Sequence, residues 1–308
     1  MKAIVSTKQG SPEVLQLQDV EKPKPGDHEI LVKVHAATVT RGDVLFRKMH
    51  PLMFLPLQLM GMRRKRTPGH EFAGKVVETG KDVTKYTTGD KVFGTTTGLS
   101  VGANAEFICL PETWKMGVIT KMPINAAYEE AAALPVGGMT ALELLYRANI
   151  RPEQKVLIYG ASGSVGSYAV QLAKHYFKAD VTAICSSNNI QLVKTLGADK
   201  VIDYTTEDFL QSDQSYDVIF DAVGKLSASD AKKVLNEGGV FLTVKTTTKE
   251  SEENLIALAS LLDSGQLKVV IDSRYPLAQT ADAHRKVETG HKAGNVIITV
   301  IPEKVEEK

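Results

Sequence analysis

The sequence predicts an α/β protein in which a doubly wound parallel sheet accompanies a smaller β-rich domain. Three observations lead to this class. An apolar strand, Val156–Tyr159, runs into a glycine-spaced turn at Gly160–Gly166. Strand patterns then alternate with helical ones as far as Ser264, whereas residues 1–120 show strands and turns without such alternation. Repeated β-α units build a parallel sheet with helices on both faces.

The β-rich part begins with a short strand pattern near Met1. Longer strand patterns cover Ile30–Val39 and Phe72–Thr79. Turn residues recur between them, at Pro23–Gly26 and Thr88–Asp90. Glycine and proline at this density separate short strands and favour a barrel or sandwich.

A helical stretch, Ala126–Asn149, ends at Arg151–Pro152, which places the domain boundary near residue 120. Pro276 is predicted to start a last helical segment, and Asn295–Val300 is predicted to be a strand that rejoins the first domain. The predicted domains are therefore residues 1–120, completed by 271–308, and a dinucleotide-binding domain at 121–270.

The glycine turn is a dinucleotide-binding signature. Gly160, Gly163 and Gly166 remove side chains where the chain turns, where a pyrophosphate approaches the backbone and where helix meets strand. The helix predicted at Ser164–His175 would hold the anion at its N-terminus. Because Ala161 replaces a glycine, the spacing is GxxGxxG instead of GxGxxG, and a glycine-rich turn of another α/β protein is the alternative.

The alternating elements favour the dinucleotide fold. The predicted strands are Val181–Cys185, Lys200–Asp203, Asp217–Asp221 and Val240–Val244, and the predicted helices are Ile190–Leu196, Ser227–Asn236 and Glu252–Ser264.

Composition excludes several classes of protein. A net charge of +1 and a pI near 7.7 give no overall attraction to nucleic acid or to an anionic membrane. No apolar run approaches the ~20 residues needed to span a bilayer, so no membrane insertion is expected. Cys109 and Cys185 are the only cysteines, too few for a disulfide framework, and a cytoplasmic location is expected.

Six motifs in a fixed order carry a family resemblance over nearly the whole chain. They are Pro68–Gly74, Gly89–Val92, Gly138–Ala141, the glycine turn, Leu196–Asp199 and Asp221–Gly224. Together they resemble the medium-chain dehydrogenase/reductase superfamily, in its zinc-free quinone oxidoreductase-like branch. The resemblance implies a GroES-like, partly open β-barrel catalytic domain beside a Rossmann domain, with the active site in the cleft between them. It also implies a homodimer formed through the Rossmann domain.

No metal is expected. In zinc-dependent relatives, a histidine corresponding to His70 binds zinc together with two cysteines. Here Thr40 occupies the place of the first cysteine, and Leu134–Gly137 contains no thiol. A catalytic zinc needs three protein ligands, so His70 and Glu71 are interpreted as a hydrogen-bonded structural pair.

The cofactor is predicted to be NADPH. An acidic residue after the second strand of the dinucleotide fold would bind a ribose 2′-hydroxyl and repel a 2′-phosphate. Ser186–Asn189 contains no acid, and Lys194 and Tyr204 are possible helpers. The alternative is that Ser and Asn only cap a helix here.

The resemblance implies the remaining cofactor contacts: nicotinamide near Thr140 and Val223–Gly224, diphosphate on Ser162–Val165, and carboxamide near Val244 and Asn295. The predicted cofactor-binding residues are Thr140, Gly160, Ser162, Gly163, Ser164, Val165, Gly166, Ser186, Ser187, Asn189, Tyr204, Val223, Gly224, Val244 and Asn295.

The segment Thr40–Arg47 is expected to face the substrate, with Thr40 and Asp43 as candidate catalytic residues. No tyrosine occurs in residues 1–85, so an evident general acid is lacking. This argues against carbonyl reduction, which creates an alkoxide. A quinone or enone delocalises the charge and can take its proton from water. The alternative role for Asp43 is to cap the following helix.

Residues 49–62 are predicted to form an apolar, proline-broken loop rich in methionine, followed by the basic run Arg63–Arg66. The loop could cover a bulky apolar substrate, and the basic run could bind an anionic group such as an acyl-CoA phosphate. Alternatively, the loop packs on the barrel and the charges are solvated.

The leading functional hypothesis is zinc-independent, NADPH-dependent hydride transfer to a quinone or an α,β-unsaturated carbonyl. A carbonyl or alcohol oxidoreductase is the alternative among enzymes. A non-catalytic, crystallin-like NADPH-binding protein is the alternative outside them.

Overall fold

The structure, a computed structural model, describes residues 1–62 and 66–302, with Pro51 described in its backbone only. The chain forms two compact units. The first unit comprises Met1–Pro135, Glu250–Ala259 and Ile271–Lys308, and the second comprises Val136–Lys249 and Ser260–Val270. The domain limits predicted from the sequence stay a prediction. In these compact units, residues 121–135 and 250–259 group with the first unit.

The strands, in chain order, are β1 Lys2–Ser6, β2 Leu15–Asp19, β3 Glu29–Val39, β4 Glu71–Thr79, β5 Lys91–Thr95, β6 Phe107–Pro111, β7 Ile119–Lys121, β8 Lys155–Tyr159, β9 Asp180–Cys185, β10 Lys200–Asp203, β11 Tyr216–Asp221, β12 Leu235–Thr243, β13 Ile271–Pro276 and β14 Asn295–Thr299. The α-helices are α1 Arg41–Lys48, α2 Pro51–Leu59, α3 Tyr128–Ala133, α4 Pro135–Arg147, α5 Ser164–Gln171, α6 Ile190–Thr195, α7 Ala228–Ala231, α8 Glu252–Asp263 and α9 Thr280–Glu288.

The second unit contains the predicted parallel sheet, in the order β10-β9-β8-β11-β12. Strand β8 lies at its centre, and Leu157, Ile184 and Ile219 are completely buried in neighbouring strands. Such continuous apolar runs are typical of strands covered on both faces. The helix predicted at Ser164–His175 is α5, which continues as a π-helical turn through Tyr176. The α/β fold class is therefore confirmed.

The first unit is built on a sheet in the order β13-β14-β3-β4-β5-β7, with β6 also pairing with β3 and a separate β1-β2 hairpin. Strand β14 pairs antiparallel with β3 through Val296–Val39 and Ile298–Ala37. The last strand therefore returns to the first unit, as the sequence predicted. Alternating apolar residues of these strands form one core.

Most of the apolar segment 49–62 forms a helix, α2 Pro51–Leu59, so the prediction of a loop was wrong there. Proline is tolerated in the first helical turn, and the side chain of His50 accepts a hydrogen bond from the Leu52 N–H at 3.3 Å. Leucine and methionine have high helix propensity. Pro56 lies inside the helix, which ends three residues later at Leu59.

Two other helix predictions need correction. The stretch Ala126–Asn149 divides at Pro135 because proline cannot donate the hydrogen bond that would continue α3. Ser227–Asn236 contains only the four residues of α7, because Leu235 pairs with Tyr216 of β11 and starts β12. The helical segment predicted to start at Pro276 is confirmed, because Pro276 ends β13 and is the N-cap of a 3₁₀ turn, Leu277–Gln279, that leads directly into α9 at Thr280.

Candidate functional site

The three glycines of the β8–α5 turn meet three different requirements. Gly160 has a φ of +79°, and a Cβ there would lie 2.1 Å from Val223 Cγ2. A Cβ on Gly166 would lie 2.2 Å from the carbonyl oxygen of Gly160. Both positions therefore exclude any larger residue. A Cβ on Gly163, by contrast, would lie 3.5 Å from Gly160 O, an ordinary contact.

Gly163 is the N-cap of α5, in extended backbone with φ −73° and ψ 178°. The space a side chain would fill therefore adjoins the positive end of the helix dipole, which favours a phosphate. Gly137 of α4 packs here too, because its Cβ would lie 2.6 Å from Ser164 Oγ. Thr140 stands one turn further along α4 and is half-buried. The residues present fit a dinucleotide diphosphate.

A second turn, after β11, is organised by the buried carboxylate of Asp221. Its Oδ1 accepts hydrogen bonds from the N–H groups of Val223 at 3.0 Å and Gly224 at 2.8 Å. Its Oδ2 accepts one from the Leu226 N–H at 2.9 Å. Val244 donates its N–H to the Asp221 carbonyl at 3.0 Å. Three predicted contact residues, Val223, Gly224 and Val244, are thus positioned by one aspartate.

The polar loop after β9 joins the glycine turn. Asn189 Nδ2 donates to Ser162 Oγ at 3.1 Å and to Ser186 Oγ at 3.2 Å. The structure therefore brings together Ser162, predicted to contact the diphosphate, with Ser186 and Asn189, predicted to lie at the ribose. Lys194 and Tyr204 are exposed, and the Tyr204 N–H donates to the carbonyl of Cys185.

Sequence reasoning missed an acid beside this loop. Asp203, the last residue of β10, accepts hydrogen bonds from Ser187 Oγ and from the Thr205 N–H and Oγ1. These side-chain and backbone hydrogen bonds lower the pKa of Asp203. An acid that binds the ribose is expected at the end of the second strand of this sheet in chain order, β9, whereas Asp203 ends the third, β10. An aspartate closing a predicted parallel strand was the available signal.

Asn295 opens β14 and is buried in the first unit, whereas the other predicted cofactor residues belong to the second. The predicted role of Asn295 at the carboxamide stays a prediction.

Thr40 and Asp43, the predicted catalytic residues, form a reciprocal capping box at the start of α1. The Thr40 N–H donates to Asp43 Oδ2 at 2.8 Å, and the Asp43 N–H donates to Thr40 Oγ1 at 3.1 Å. The alternative role considered for Asp43, a helix cap, is thus present in the structure. The other carboxylate oxygen of Asp43 lies 2.5 Å from His70 Nδ1.

His70 and Glu71 do not pair with each other as expected. Glu71 accepts a hydrogen bond from Thr38 Oγ1, whereas His70 bonds to Asp43, 27 residues earlier in the chain. His70 lies in a bend just before β4, whereas Glu71 is the first residue of the strand, and the two side chains have different partners.

The electrostatics of this cluster favour an ionised Asp43. Burial opposes ionisation, but the charge and hydrogen bond of His70 and the hydrogen bond of Thr40 hold the pKa of Asp43 well below its usual range. His284 of α9 is fully buried, and burial lowers its pKa to about 4, so it is neutral near pH 7. Arg47 is buried in an ion pair with Glu288.

Asp43, Arg47 and His70 line a cavity of about 70 Å³ in the first unit. Its other walls are mostly apolar, and His70 stacks on Phe46 with ring centroids 5.1 Å apart. The remaining lining residues are Ser6, Lys8, Leu15, Met49, Phe54, Met62 and Pro68. The cavity can hold a small uncharged group beside one imidazole.

Helix α2 contributes Phe54 to this cavity, but most of its apolar side chains are exposed. Leu52 is 75% exposed and Leu59 85%. Phe54 packs as the alternative of a packed segment predicted, and the role of this segment as a lid over a substrate stays a prediction. Of the basic run, Arg63–Lys65 lie outside the described residues, and Arg66 is exposed.

The donor set at Thr40 does not fit a catalytic zinc. Within residues 1–62 and 66–302, no group of three or more His, Cys, Asp or Glu side chains could hold a metal ion. The Thr40 hydroxyl belongs to the capping box, and His70 Nδ1 is bound to Asp43. In the same described residues, no helix is long and apolar enough to cross a membrane.

Comparison with known proteins gives consistent matches. Residues 26–139 match the family described as alcohol dehydrogenase GroES-like domain, and residues 196–251 and 243–298 match the family described as zinc-binding dehydrogenase. The 2-methylene-furan-3-one reductase of Solanum lycopersicum is 35% identical, covering 98% of this chain and 80% of that protein. The chloroplastic NADPH-dependent alkenal/one oxidoreductase of Arabidopsis thaliana is 32% identical, with the same shares covered.

A solved structure agrees with these matches. The quinone oxidoreductase from Coxiella burnetii superposes with a TM-score of 0.83 at 29% identity, covering 98% of this chain and 99% of that one.

Proposed function

Because the chain belongs to the medium-chain dehydrogenase/reductase superfamily, in its quinone oxidoreductase-like branch, we propose that it is an NADPH-dependent oxidoreductase acting on quinones or α,β-unsaturated carbonyls. One observation carries the proposal. Gly163 leaves an open cradle at the N-terminus of α5, between two glycines that tolerate no side chain. The names of the relatives above supply the substrate classes.

NADPH would supply the hydride when bound, and the protein would bind and orient it. The turn Gly160–Gly166 would hold the diphosphate, and Val223 and Gly224 would lie near the nicotinamide. Ser186 and Asn189 would hold the 2′-phosphate, with Lys194 nearby. The negative charge of Asp203 would repel a phosphate, but its carboxylate already accepts three hydrogen bonds from Ser187 and Thr205.

The proposed reaction uses no zinc, because Thr40 supplies a hydroxyl where the resemblance requires a thiolate. We also propose a homodimer formed through the Rossmann domain and a cytoplasmic location. The proposed location rests on the cysteine content, because the chain has only two cysteines, Cys109 and Cys185, and both are free.

NADPH absorbance would be followed with a panel of quinones, enones and aldehydes, with and without a metal chelator, and repeated with NADH. We expect chelator-insensitive oxidation of NADPH by quinones or enones. Binding of NADPH without turnover across the panel would instead favour the non-catalytic cofactor-binding protein. Loss of activity with chelator would contradict the metal-free reaction.

A further inference from the structure

We infer that His70, held by Asp43, is the proton donor when this protein reduces an enone. The inference rests on the proposed function and adds a residue to it: sequence reasoning found no general acid, and water was the expected proton source. A short enone would place its α-carbon in the cavity lined by His70, Phe46 and Phe54.

The first argument is geometric. Asp43 uses Oδ2 for the capping box of α1 and Oδ1 for His70 Nδ1, so both oxygens are fixed by α1 and by the start of β4. The hydrogen bond fixes which ring nitrogen carries a proton towards Asp43. The other ring nitrogen, Nε2, is not used by this bond. The ring is also stacked on Phe46.

The second argument is electrostatic. Asp43 Oδ1 lies 2.5 Å from His70 Nδ1, and the charge and hydrogen bond of His70 lower the pKa of this buried carboxylate. Four other charged or titratable groups lie nearby. Arg47 and Lys8 line the same cavity, Glu288 neutralises Arg47, and buried His284 lies close enough to sense the charge of Asp43. Asp43 is thus the carboxylate in contact with the ring.

The third argument is chemical balance. Hydride from NADPH would add to the β-carbon of the enone, and the C=C electron pair would move to give an enolate. His70 Nε2 would then donate its proton to the α-carbon, forming the new C–H bond, and the ring would regain a proton from water. The products are the saturated ketone and NADP⁺. A quinone, by contrast, is protonated on oxygen, which exchanges rapidly with water and needs no fixed donor.

The test uses 2-methylcyclohex-2-enone, whose reduction creates a stereocentre at the protonated carbon. Wild type, His70→Gln and a control, His28→Gln, would be compared on this enone and on a quinone. His28 is an exposed histidine with 74% side-chain exposure, outside the cavity. Measurements are kcat, enantiomeric excess of the product, NADPH affinity and melting temperature.

For His70→Gln we expect a loss of about 100-fold in kcat on the enone. The enantiomeric excess should fall, with quinone turnover and NADPH affinity close to wild type. His28→Gln should match wild type throughout. Unchanged enone turnover and enantiomeric excess in a folded His70→Gln would overturn the inference. Equal loss on both substrates would do so too, because that outcome indicates a structural role.

Asp43→Asn provides a second variant if His70→Gln does not fold. It should lower enone turnover and the enantiomeric excess, because the His70 ring loses the charged hydrogen-bond partner that holds it in place. Unchanged enone turnover and enantiomeric excess in a folded Asp43→Asn would count against the inference. A wild-type protein that binds NADPH but reduces neither substrate would instead remove the proposed function, and this inference with it.

Discussion

The glycine turn at Gly160–Gly166 and the Asp43–His70 cluster are built in opposite ways. The turn is made from backbone within seven consecutive residues, and its chemistry comes from N–H groups and a helix terminus. The cluster is made from side chains 27 residues apart, and its chemistry comes from a carboxylate and an imidazole. Local sequence specifies the first almost completely, whereas the second exists only after α1 and β4 have packed together.

The comparison also separates two kinds of glycine within the turn. Gly160 and Gly166 are needed by the fold, because a Cβ would collide with Val223 or with backbone. A Cβ on Gly163 would make only an ordinary contact, so in the proposed function Gly163 is required by the cofactor and not by the fold. The sequence motif gives no difference between the three glycines, whereas the contacts of a Cβ at each position distinguish them.

The largest effect is expected from Gly166→Ala. Its Cβ would lie 2.2 Å from a carbonyl oxygen, so the β8–α5 junction must move, at a cost of about 3 kcal/mol in the free energy of unfolding. Chemical denaturation would measure this. Gly163→Ala is the matched control and should unfold close to wild type. Equal stability of the two variants would contradict the distinction between fold and ligand glycines.

Asp43→Asn tests the cluster in the same way. It replaces a buried carboxylate that is hydrogen-bonded to His70, so we expect the free energy of unfolding to fall by about 2 kcal/mol at neutral pH. Because the pKa of Asp43 is lowered on folding, its stabilisation is present above its ordinary pKa of 3.8 and is lost as the pH falls below that value. The difference between variant and wild type should therefore narrow below about pH 4. If the difference in the free energy of unfolding stayed constant down to acid pH, the charge of Asp43 would not be the source of its stabilisation.

Gly163→Val should weaken NADPH binding about tenfold or more while the fold persists, because the side chain occupies the space proposed for the diphosphate. Titration of NADPH fluorescence would measure the affinity, and circular dichroism would confirm the fold. Unchanged affinity would place the diphosphate elsewhere.

The smallest effect is expected from Asp203→Asn. Removing one negative charge near the loop Ser186–Asn189 should raise the preference for NADPH over NADH about threefold. The ratio of kcat/KM for the two cofactors measures this. Thr205→Val is a useful control, because it removes one hydrogen bond to Asp203 and keeps the charge. If both variants changed the cofactor preference by a similar factor, the effect would come from the conformation of the loop and not from the charge of Asp203.

The sequence predicted much of the fold correctly. Strands β3, β4, β9, β10, β11 and β14 were located to within about one residue at most ends, because their apolar runs and flanking turn residues are local signals. The secondary structure was predicted wrongly where contacts between residues far apart in the chain determine it. Residues 232–236 have a helical pattern, but Leu235 pairs with Tyr216 and the chain becomes β12. Helix α2 was missed because two prolines in an apolar run resemble a loop.

By itself, the sequence determined the α/β class, the glycine turn and the family. Each depends on backbone conformation or on residues adjacent in the chain. Only the tertiary structure decided that His70 pairs with Asp43, that Asp203 adjoins the loop at Ser187 and that Gly163 alone among the turn glycines has room for a side chain. Hydrogen bonds and close contacts act over a few ångströms in space, and separation along the chain does not report that distance.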